Sequence, residues 1–535
     1  MMQLHLMNSA RLQKKNRASS AQCGVEIRLA KIRSKKKQAA QAVVCRLNRK
    51  NFLINVSAVE DQRRKWFTGA KHTRNYRDGV RRPFLKVINM RNIKIDMPTC
   101  VREIIEVLEN AGFEAFAVGG CVRDAVLGRV PADWDITTSA MPEEVKALFS
   151  RTIDTGIQHG TVTVMKDHVG YEVTTYRIDG EYEDARHPKE VSFTSNLVED
   201  LKRRDFTINA MAYNDRAGLV DEFDGIGDLE KGVIRCVGDP KDRFGEDALR
   251  MLRAVRFSAQ LGFSIDEATK AAITELAPNL EKISAERIQV ELVKLLTSDH
   301  PDYLRAAYET GITAVVLPEF DAIMKCEQND ALHEETVGEH TLKSLLKVDN
   351  DKVLRLTMLF HDFGKPLTYS RTEDGVTRFF GHPDISSDMS REIMRRLKFD
   401  NDTTDKVKKL TAVHDLFIRN APNRVRRAMS KVSKELFPYF LQVRKANILA
   451  WKEEAQEKAL EELQELENIY QGILDRGECV CVKELAVDGK DLIAAGVAQG
   501  KQIGEILSDL LEIVLEEPEK NTKETLLSYV KETYF

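Results

Sequence analysis

A chain of 535 residues is longer than one hydrophobic core usually serves, so the sequence predicts several domains. Its composition is 42% hydrophobic and 31% charged, and no apolar run reaches the roughly 18 residues that cross a membrane. The eight cysteines form no CxxC pair, which favours a reducing, cytoplasmic location. These features exclude a single domain, a membrane span and a disulfide scaffold.

The net charge of −3 conceals two regions of opposite charge. Residues 1–90 hold 22 Lys and Arg against 4 Asp and Glu, whereas the rest of the chain holds 59 against 80. The basic segment is a disordered arm that attracts RNA, a transit peptide, or sequence upstream of the true start. We favour the last interpretation, because Met90 and Met97 both precede the first regular helix.

The first predicted element is an amphipathic helix. Val101, Ile104, Ile105 and Leu108 recur at helical spacing, and Gly112 ends the pattern. The letters EAFAV then predict a strand that leads through a glycine turn into a helix, and HGTVTVMKDHVGYEVTTYR alternates like a β-hairpin. From about residue 240 the apolar spacing is helical almost throughout. The pattern predicts an α+β head followed by an all-helical remainder.

The segment GGCVRDAVLGRVPADWDITTSA carries the first chemical signal. Gly119 and Gly120 lie between a predicted strand and a helix, where the backbone can approach a phosphate closely. Asp133 and Asp135 alternate as on a strand, so we expect both carboxylates on one face, and Glu172 adds a third from the hairpin. Magnesium is the natural ion between such groups. The alternative for an isolated DxD is a solvated turn.

Five motifs in order resemble one known family. GGCVRDAVLG, DWDI, DLKRRDFTINAMAY, FGEDALRMLRAVRF and ERIQVEL together are similar to the class II tRNA nucleotidyltransferases and the bacterial poly(A) polymerases, within the DNA polymerase beta-like superfamily. The helical remainder also fits, so the resemblance covers roughly residues 98–535. It implies an α+β fold, with a polymerase beta-like head followed by an all-helical neck, an HD-like body and a tail.

The resemblance also implies roles for individual residues. Asp133 and Asp135 would hold two Mg²⁺ ions, and Glu172 would assist the RNA 3′-hydroxyl or complete the metal shell. Arg203 and Asp205 would support the loop around them, and Asn209 is a candidate for the ribose side. The implied nucleotide-binding residues are Gly120, Arg123, Arg204, Asp247, Arg250, Arg253 and Arg256.

Nucleotide choice is assigned by the resemblance to one helix. Asp247 and Arg250 are expected nearly one turn apart, where an acceptor and a donor fork can meet the polar edge of C or A. Glu246 would orient the pair, while Arg253 and Arg256 complete the pocket. The alternative is a surface salt bridge. The polar segment 179–200 resembles the flexible loop that accompanies the switch from CTP to ATP, which favours addition of CCA.

A second cluster resembles the HD-type metal phosphohydrolases. The possible metal ligands are His340 in GEHTL, His361 and Asp362 in FHDFGKP, and Asp415 in AVHDL; the same region holds His382 and His414. A divalent metal is possible here. The segment GHPDIS departs from a catalytic HD pattern, so an active phosphohydrolase and a structural remnant both stay open.

The predicted organisation has five parts: a basic extension (1–90), a nucleotidyltransferase head (97–225), a helical neck (226–300), an HD-like body (301–430) and a tRNA-binding tail (431–535). The expected activity is template-independent addition of CCA to the tRNA 3′ end from CTP and ATP. No obligatory protein partner and no membrane are expected. The alternatives are a poly(A) polymerase of the same family, or an HD phosphohydrolase with an RNA-binding head.

Overall fold

The computed structural model describes residues 93–180 and 191–535. The predictions for the basic extension and for the middle of the polar segment 179–200 therefore fall outside the described residues. Within the described part of the chain, no helix is both long and apolar enough to cross a membrane.

Helix α1 (Thr99–Asn110) opens the head as the periodicity predicts. Its buried residues are Val101, Ile104, Ile105 and Leu108, which form one stripe because three to four residues make a turn. Gly112 follows the helix with φ +91°, a backbone conformation that glycine adopts readily. The predicted helix is confirmed.

A seven-stranded sheet forms the centre of the head. The described part of the head has nine strands, seven in this sheet and two in a separate pair: β1 (Ala115–Val118), β2 (Ile136–Thr138), β3 (Thr152–Gly156), β4 (Thr161–Lys166), β5 (Val169–Thr175), β6 (Arg177–Asp179), β7 (Val191–Phe193), β8 (Met211–Asn214) and β9 (Gly218–Asp221). The order in the sheet is β3-β4-β5-β2-β1-β8-β9, and β6 pairs with β7 separately. The hairpin β4–β5 is antiparallel as predicted, whereas β2 pairs with β5 in parallel.

Short helices connect these strands and lead into the neck. They are α2 (Gly120–Val126), α3 (Pro142–Leu148), α4 (Leu197–Lys202), α5 (Gly225–Lys231), α6 (Pro240–Glu246), α7 (Leu249–Leu261), α8 (Glu267–Leu276) and α9 (Ala285–Leu296). Helix α7 packs against α9. Strands β10 (Val233–Ile234) and β11 (Ser264–Ile265) form a small parallel pair beside them.

The remainder is helical apart from one small hairpin. Its helices are α10 (Leu304–Glu309), α11 (Ile312–Val316), α12 (Pro318–Met324), α13 (Val337–Leu345), α14 (Lys352–Phe360), α15 (Lys365–Thr368), α16 (His382–Arg396), α17 (Asn401–Val413), α18 (Pro422–Val432), α19 (Phe437–Ile448), α20 (Glu453–Asp475), α21 (Gly489–Ala494), α22 (Lys501–Glu516) and α23 (Lys523–Tyr534). The hairpin consists of β12 (Ser370–Arg371) and β13 (Thr377–Arg378). The expected α+β class is confirmed.

Two large hydrophobic cores account for most of the buried apolar side chains. The first runs from Ile95 in the head to Ala446 in α19, so the head, neck and much of the body share one core. The second begins at Leu410 and continues to Val530 in the last helix. Helix α18 therefore packs with the tail, close to the predicted boundary at residue 430, and the domain limits themselves stay predictions.

Candidate active site and histidine cluster

The glycine turn between β1 and α2 brings backbone and an arginine together. Gly119 has φ +83°, and a Cβ atom built there would lie 3.0 Å from Nη1 of Arg204. Asp200, fully buried within α4, holds Arg204 through a 3.3 Å ion pair. The Nε atom of Arg204 is buried and has no hydrogen-bond partner among the described residues. The turn thus presents main chain and a fixed cation, a combination suited to phosphate.

The three carboxylates predicted as catalytic lie beside this turn. Asp133 and Asp135 immediately precede β2, which starts at Ile136, so the expected strand begins later than the DxD pattern implied. The carbonyl of Asp135 still accepts a hydrogen bond from Val118, which fixes it to the end of β1. Because Ile136 pairs with Val173 in parallel β5, Asp135 lies next to Glu172.

Burial and the crowding of negative charge at this edge both change the pKa of Asp135. Partial burial, and then the nearby carboxylates of Asp133 and Glu172, raise the pKa of Asp135 to about 6, and Arg204 opposes this shift. The side chain nevertheless reaches solvent, as do those of Asp133 and Glu172. An accessible group of mutually repelling carboxylates is suited to a hard divalent cation.

Arg123 belongs to a buried network of hydrogen bonds behind the turn. It donates to Asp124 through Nε and Nη2 at 2.9 Å and to Asn209 Oδ1 at 2.6 Å. Asn209 donates to Asp205, which also accepts two hydrogen bonds from Arg253 at 2.9 and 2.6 Å. Although burial disfavours its charge, Arg253 and Asn209 hold the pKa of Asp205 below its usual range.

The same network of polar contacts continues into the neck through α9. Glu291 lies 2.6 Å from Nε of Arg256 and 3.8 Å from Nη1 of Arg253. The guanidinium groups of Arg123, Arg253 and Arg256 surround the ring of Phe257 at 5.0, 5.3 and 3.6 Å from its centroid. These contacts tie the arginines of α7 to the head and to α9, so they are positioned by protein contacts.

The predicted nucleotide-selecting pair does not lie within one continuous helix. Asp247 has an extended backbone at the break between α6 and α7, and its Oδ1 accepts from the main-chain N–H of Leu249. This local bond competes with helix formation, which explains the break. Both carboxylate oxygens of Asp247 meet Arg287 of α9, at 3.2 and 2.6 Å.

Arg250, the second member of the pair, has different partners from Asp247. Its Nη1 lies 2.5 Å from Glu246, the residue expected to orient it, and its Nη2 donates to the carbonyl of Arg203 at 3.0 Å. Arg250 therefore connects the selecting region to the loop that carries Arg204. Arg287 and Glu291 were not predicted as site residues, although both lie in the ERIQVEL motif.

A second group of chemically active side chains surrounds Asp362 in the body. Its Oδ1 lies 3.3 Å from Nε2 of His382 and 3.5 Å from Nε2 of His414. Its Oδ2 lies 3.1 Å from Nε2 of His361, 3.9 Å from Nε2 of His340 and 2.7 Å from Nζ of Lys365. Five helices or helix ends thus converge on one buried carboxylate.

The cluster contains two sets of three residues, and within each set the ligand atoms all lie within 4.8 Å of one another. The sets are His340 with His361 and Asp362, and Asp362 with His382 and His414. Among the described residues, these are the sets of three or more His, Cys, Asp or Glu whose ligand atoms all lie within that distance, whereas the head carboxylates Asp133, Asp135 and Glu172 are not brought that close together. Asp415, also predicted here, is exposed and belongs to neither group. Position 414 supplies the inward ligand because that residue caps α17 and its Nδ1 bonds the Thr411 carbonyl.

The cluster is arranged to bind a cation. Burial lowers the pKa of His340 and His361. Burial opposes the charge of His414 as well, but the hydrogen bond and the charge of Asp362 outweigh it and raise the pKa of His414. Nε2 of His361 is buried and faces Oδ2 of Asp362 at 3.1 Å without a well-formed hydrogen bond in the described structure. Oδ1 of Asn447 lies 2.9 Å from Nε2 of His340 and fixes this ring at the edge of the cluster. A neutral imidazole with a free ring nitrogen is ready to ligate a metal.

Comparison with known families matches three segments of the chain. A profile described as the poly A polymerase head domain matches residues 115–235. A probable RNA and SrmB-binding site of polymerase A matches 262–324, and a putative tRNA nucleotidyltransferase domain 2 matches 368–530. The carboxylates, the glycine turn and the Asp205 network all fall within the first match.

Curated relatives and solved structures extend the match to most of the chain. The CCA-adding enzyme of Leuconostoc mesenteroides is 58% identical over 193 residues, 36% of this chain and about half (48%) of that enzyme. The one of Limosilactobacillus reuteri is 37% identical over 432 residues, 81% of this chain and 96% of the relative. The Bacillus stearothermophilus CCA-adding enzyme, crystallised with CTP, has 31% identity and a TM-score of 0.60, covering 81% of this chain and 96% of that one. The chain belongs to the CCA-adding enzyme family.

Proposed function

We propose that this chain adds CCA to the 3′ end of tRNA, with CTP and ATP as substrates and the head as its catalytic centre. The observation that carries the proposal is the convergence of Asp133, Asp135 and Glu172 beside the Gly119 turn and Arg204, in a chain of this family. A cytoplasmic location is consistent with this role. The head at 97–225 would catalyse, the neck at 226–300 would select nucleotides, and the tail at 431–535 would hold tRNA.

In the proposed reaction the RNA 3′-hydroxyl attacks the α-phosphate of the nucleotide and pyrophosphate leaves. Asp133 and Asp135 would hold two Mg²⁺ ions, which supply charge neutralisation and a more acidic 3′-hydroxyl when bound. Glu172 is placed to orient the hydroxyl or to complete the metal shell. Arg204, held by Asp200, would contact the triphosphate as it passes the glycine turn.

Arg123 would act on the nucleotide through position rather than by a freely extended side chain. It is buried and already bonded to Asp124 and Asn209, so its contribution is to fix the helix that starts at Gly120. Asp247 and Arg250 would pair with the base after exchanging their present partners, Arg287 and Glu246. Arg253 and Arg256 would form the wall of the same pocket.

An exchange of catalytic residues tests the proposal. Asp133→Asn removes a metal-binding charge without changing side-chain volume, so we expect extension of a tRNA transcript to fall by at least about a thousandfold. Asp154→Asn, an exposed carboxylate on β3, is the matched control and should retain activity. Full activity of Asp133→Asn would remove the head as the catalytic centre.

The cluster around Asp362 favours a second function, metal-dependent hydrolysis of a phosphoester. Four imidazoles and one carboxylate suit Mn²⁺, Ni²⁺ or Zn²⁺ better than Mg²⁺. A bound ion would supply an activated water. The cluster opens into a cavity of about 780 Å³ that is lined by Lys365, Arg378 and Lys431 and also by Asp330, Asp384 and Asp415, so a phosphate would meet these cations alongside carboxylates.

Metal titration separates this second function from a structural remnant. Wild-type protein should bind Mn²⁺ or Ni²⁺ by calorimetry and hydrolyse bis(p-nitrophenyl) phosphate with the bound ion, and His361→Ala should lose both while still extending tRNA. His168→Asn, which removes an exposed histidine of the β4–β5 turn, is the control. Equal metal binding by His361→Ala, or no hydrolysis by the loaded wild type, would contradict a catalytic cluster.

A further inference from the structure

A second groove lies directly beside the cavity of the histidine cluster. It has a volume of about 450 Å³ and is lined by Leu416, Phe417, Ile418, Arg419, Arg424, Arg427, Ala428 and Lys431. Leu416 and Lys431 line both this groove and the cluster cavity, so the two spaces are adjoining. We call this combined surface the body groove.

The body groove carries cations that the protein itself does not neutralise. Arg419, Arg424 and Lys431 are exposed, and within the described residues none of them lies within 4.0 Å of a carboxylate. Arg378, at the edge of the cluster cavity, is in the same situation. By contrast, Arg427 pairs with Glu512 and Glu516 of α22. The 450 Å³ part of the body groove is therefore lined by cations and by no carboxylate, whereas the cluster cavity is also lined by Asp330, Asp384 and Asp415.

Two exposed aromatic rings stand among these cations. Phe417 is 71% exposed and Phe380 is 76% exposed, although large apolar side chains are usually covered. The guanidinium of Arg378 lies 6.0 Å from the centroid of Phe380. Exposed aromatic rings on the same surface as exposed cations match the way in which proteins bind single-stranded nucleic acid, with bases on the rings and phosphates on the cations.

The groove is built on rigid elements. Helix α18 buries Val425, Met429 and Val432, which places Arg424 and Lys431 on its outer face. Arg426 anchors the helix through its hydrogen bonds to the carbonyls of Leu515 and Glu516, at 2.7 and 2.9 Å. This fixation leaves the outward side chains in a defined position, as a binding surface requires.

The loop that carries Phe417 is also fixed. Arg444 donates to the carbonyl of Leu416 at 3.0 Å, and Asn420 donates to the carbonyl of Glu462 at 2.8 Å and to Glu465 at 2.9 Å. The exposure of Phe417 is therefore a feature of an anchored loop.

We propose that the body groove binds single-stranded RNA, with Phe417 and Phe380 stacking on bases, Arg419, Arg424, Lys431 and Arg378 contacting phosphates, and the strand running into the cluster cavity. This inference rests on the proposed function, which makes RNA the substrate. Charge complementarity favours RNA over a neutral partner, and the two exposed rings favour it over an acidic peptide, which offers no bases to stack.

The test uses the full chain and a fluorescein-labelled oligouridine of about a dozen nucleotides, a length typical of single-strand sites. Fluorescence anisotropy across a salt series gives the dissociation constant and its salt dependence. The triple variant Arg419→Gln, Arg424→Gln, Lys431→Gln should weaken binding at least tenfold and reduce the slope of log K against log salt by about two. Phe417→Ala should weaken binding by about five- to a hundredfold.

A matched control removes three cations that already have acidic partners. Lys270, Arg391 and Lys406 pair with Glu309, Asp388 and Asp402, so their replacement by Gln changes net charge equally and should leave oligouridine binding within about twofold. Unchanged affinity and slope in the triple variant, or equal binding of a polyglutamate peptide, would overturn the RNA assignment. Failure of wild-type protein to extend tRNA would remove the proposed function without affecting this binding test.

Discussion

Arg287 is the residue whose position most directly affects the nucleotide-selecting pair. Its two terminal nitrogens bond the two carboxylate oxygens of Asp247, which leaves Asp247 oriented even before a base arrives. Such bidentate contact fixes direction as well as distance. Arg287 is therefore a positioning residue in our account, acting on the base through Asp247.

Replacing Arg287 by Met should relax nucleotide choice. Without its partner Asp247 loses a fixed orientation, so we expect the preference for CTP over UTP in kcat/KM to fall by about ten- to a hundredfold, while triphosphate binding changes less. Lys294→Met, an exposed residue of the same helix, is the control. Unaltered selectivity in steady-state assays with each of the four nucleotides would show that Arg287 does not position Asp247.

Asp205 provides a prediction about pH. Its pKa is held below the ordinary value by Arg253 and Asn209, so the ionised carboxylate stabilises the folded protein above the unfolded pKa of about 3.9, and this stabilisation is lost as the pH falls below it. Asp205→Asn should therefore cost about 2–4 kcal/mol at pH 7 and progressively less below about pH 4.

Thermal unfolding midpoints at neutral and acidic pH measure this difference. The control is Asp154→Asn, since Asp154 forms a half-exposed pair with Lys146 and contributes little. Midpoints of wild type and Asp205→Asn that differ by the same amount across the pH range would mean that the Asp205 carboxylate is not what stabilises this network.

The turn between β1 and α2 is the element that joins catalysis to the sheet. Gly119 combines a positive φ with a Cβ position only 3.0 Å from Arg204, whereas Gly128 has φ +70° and open space around its Cβ position. Replacing either glycine by alanine would strain the backbone, because both have a positive φ. Only at Gly119 would the added methyl group also displace a neighbouring side chain.

Gly119→Ala should therefore reduce activity more than Gly128→Ala. The added methyl group moves Arg204 away from the triphosphate path, so we expect KM for both nucleotides to rise at least about tenfold in Gly119→Ala, with similar losses of thermal stability in both variants. Steady-state kinetics and a melting curve on each variant measure this. Equal KM values for Gly119→Ala and Gly128→Ala would show that Arg204 does not contribute to nucleotide binding.

Local patterns predicted the elements well because periodicity is a property of neighbouring residues. Helix α1, strand β1 and the β4–β5 hairpin follow their hydrophobic spacing. The parallel pairing of β2 with β5, which brings Asp135 beside Glu172, joins segments far apart in sequence and has no local signal. The motif order suggested their common site only through resemblance to a family.

The same limit explains what the sequence did not show at the two sites. Asp247 was expected inside a helix because its neighbours have helical spacing, but its own side-chain cap ends that spacing locally. Arg287 and Glu291 read as ordinary charged residues of an amphipathic helix until packing places α9 against α7. His414 and Asp415 are adjacent, and only the end of α17 decides which one points inward.

At the scale of the whole molecule, the charge division between residues 1–90 and the rest lies before the region that the family profiles match. The family profiles begin at residue 115, and the catalytic candidates all lie after it. A chain that starts at Met90 should therefore extend tRNA with kcat/KM within about twofold of the full chain. A loss of tenfold or more, with unchanged melting temperature, would make the basic segment a working RNA contact.

Product length under nucleotide omission tests the central claim most directly. A tRNA transcript that ends at the discriminator base is incubated with the full chain, magnesium and CTP, ATP, both or neither, and the products are resolved on a sequencing gel. We expect two added residues with CTP alone, three with both nucleotides and no extension without nucleotide. A long ladder with ATP alone would assign the chain to poly(A) synthesis, and the absence of extension with both nucleotides would contradict CCA addition.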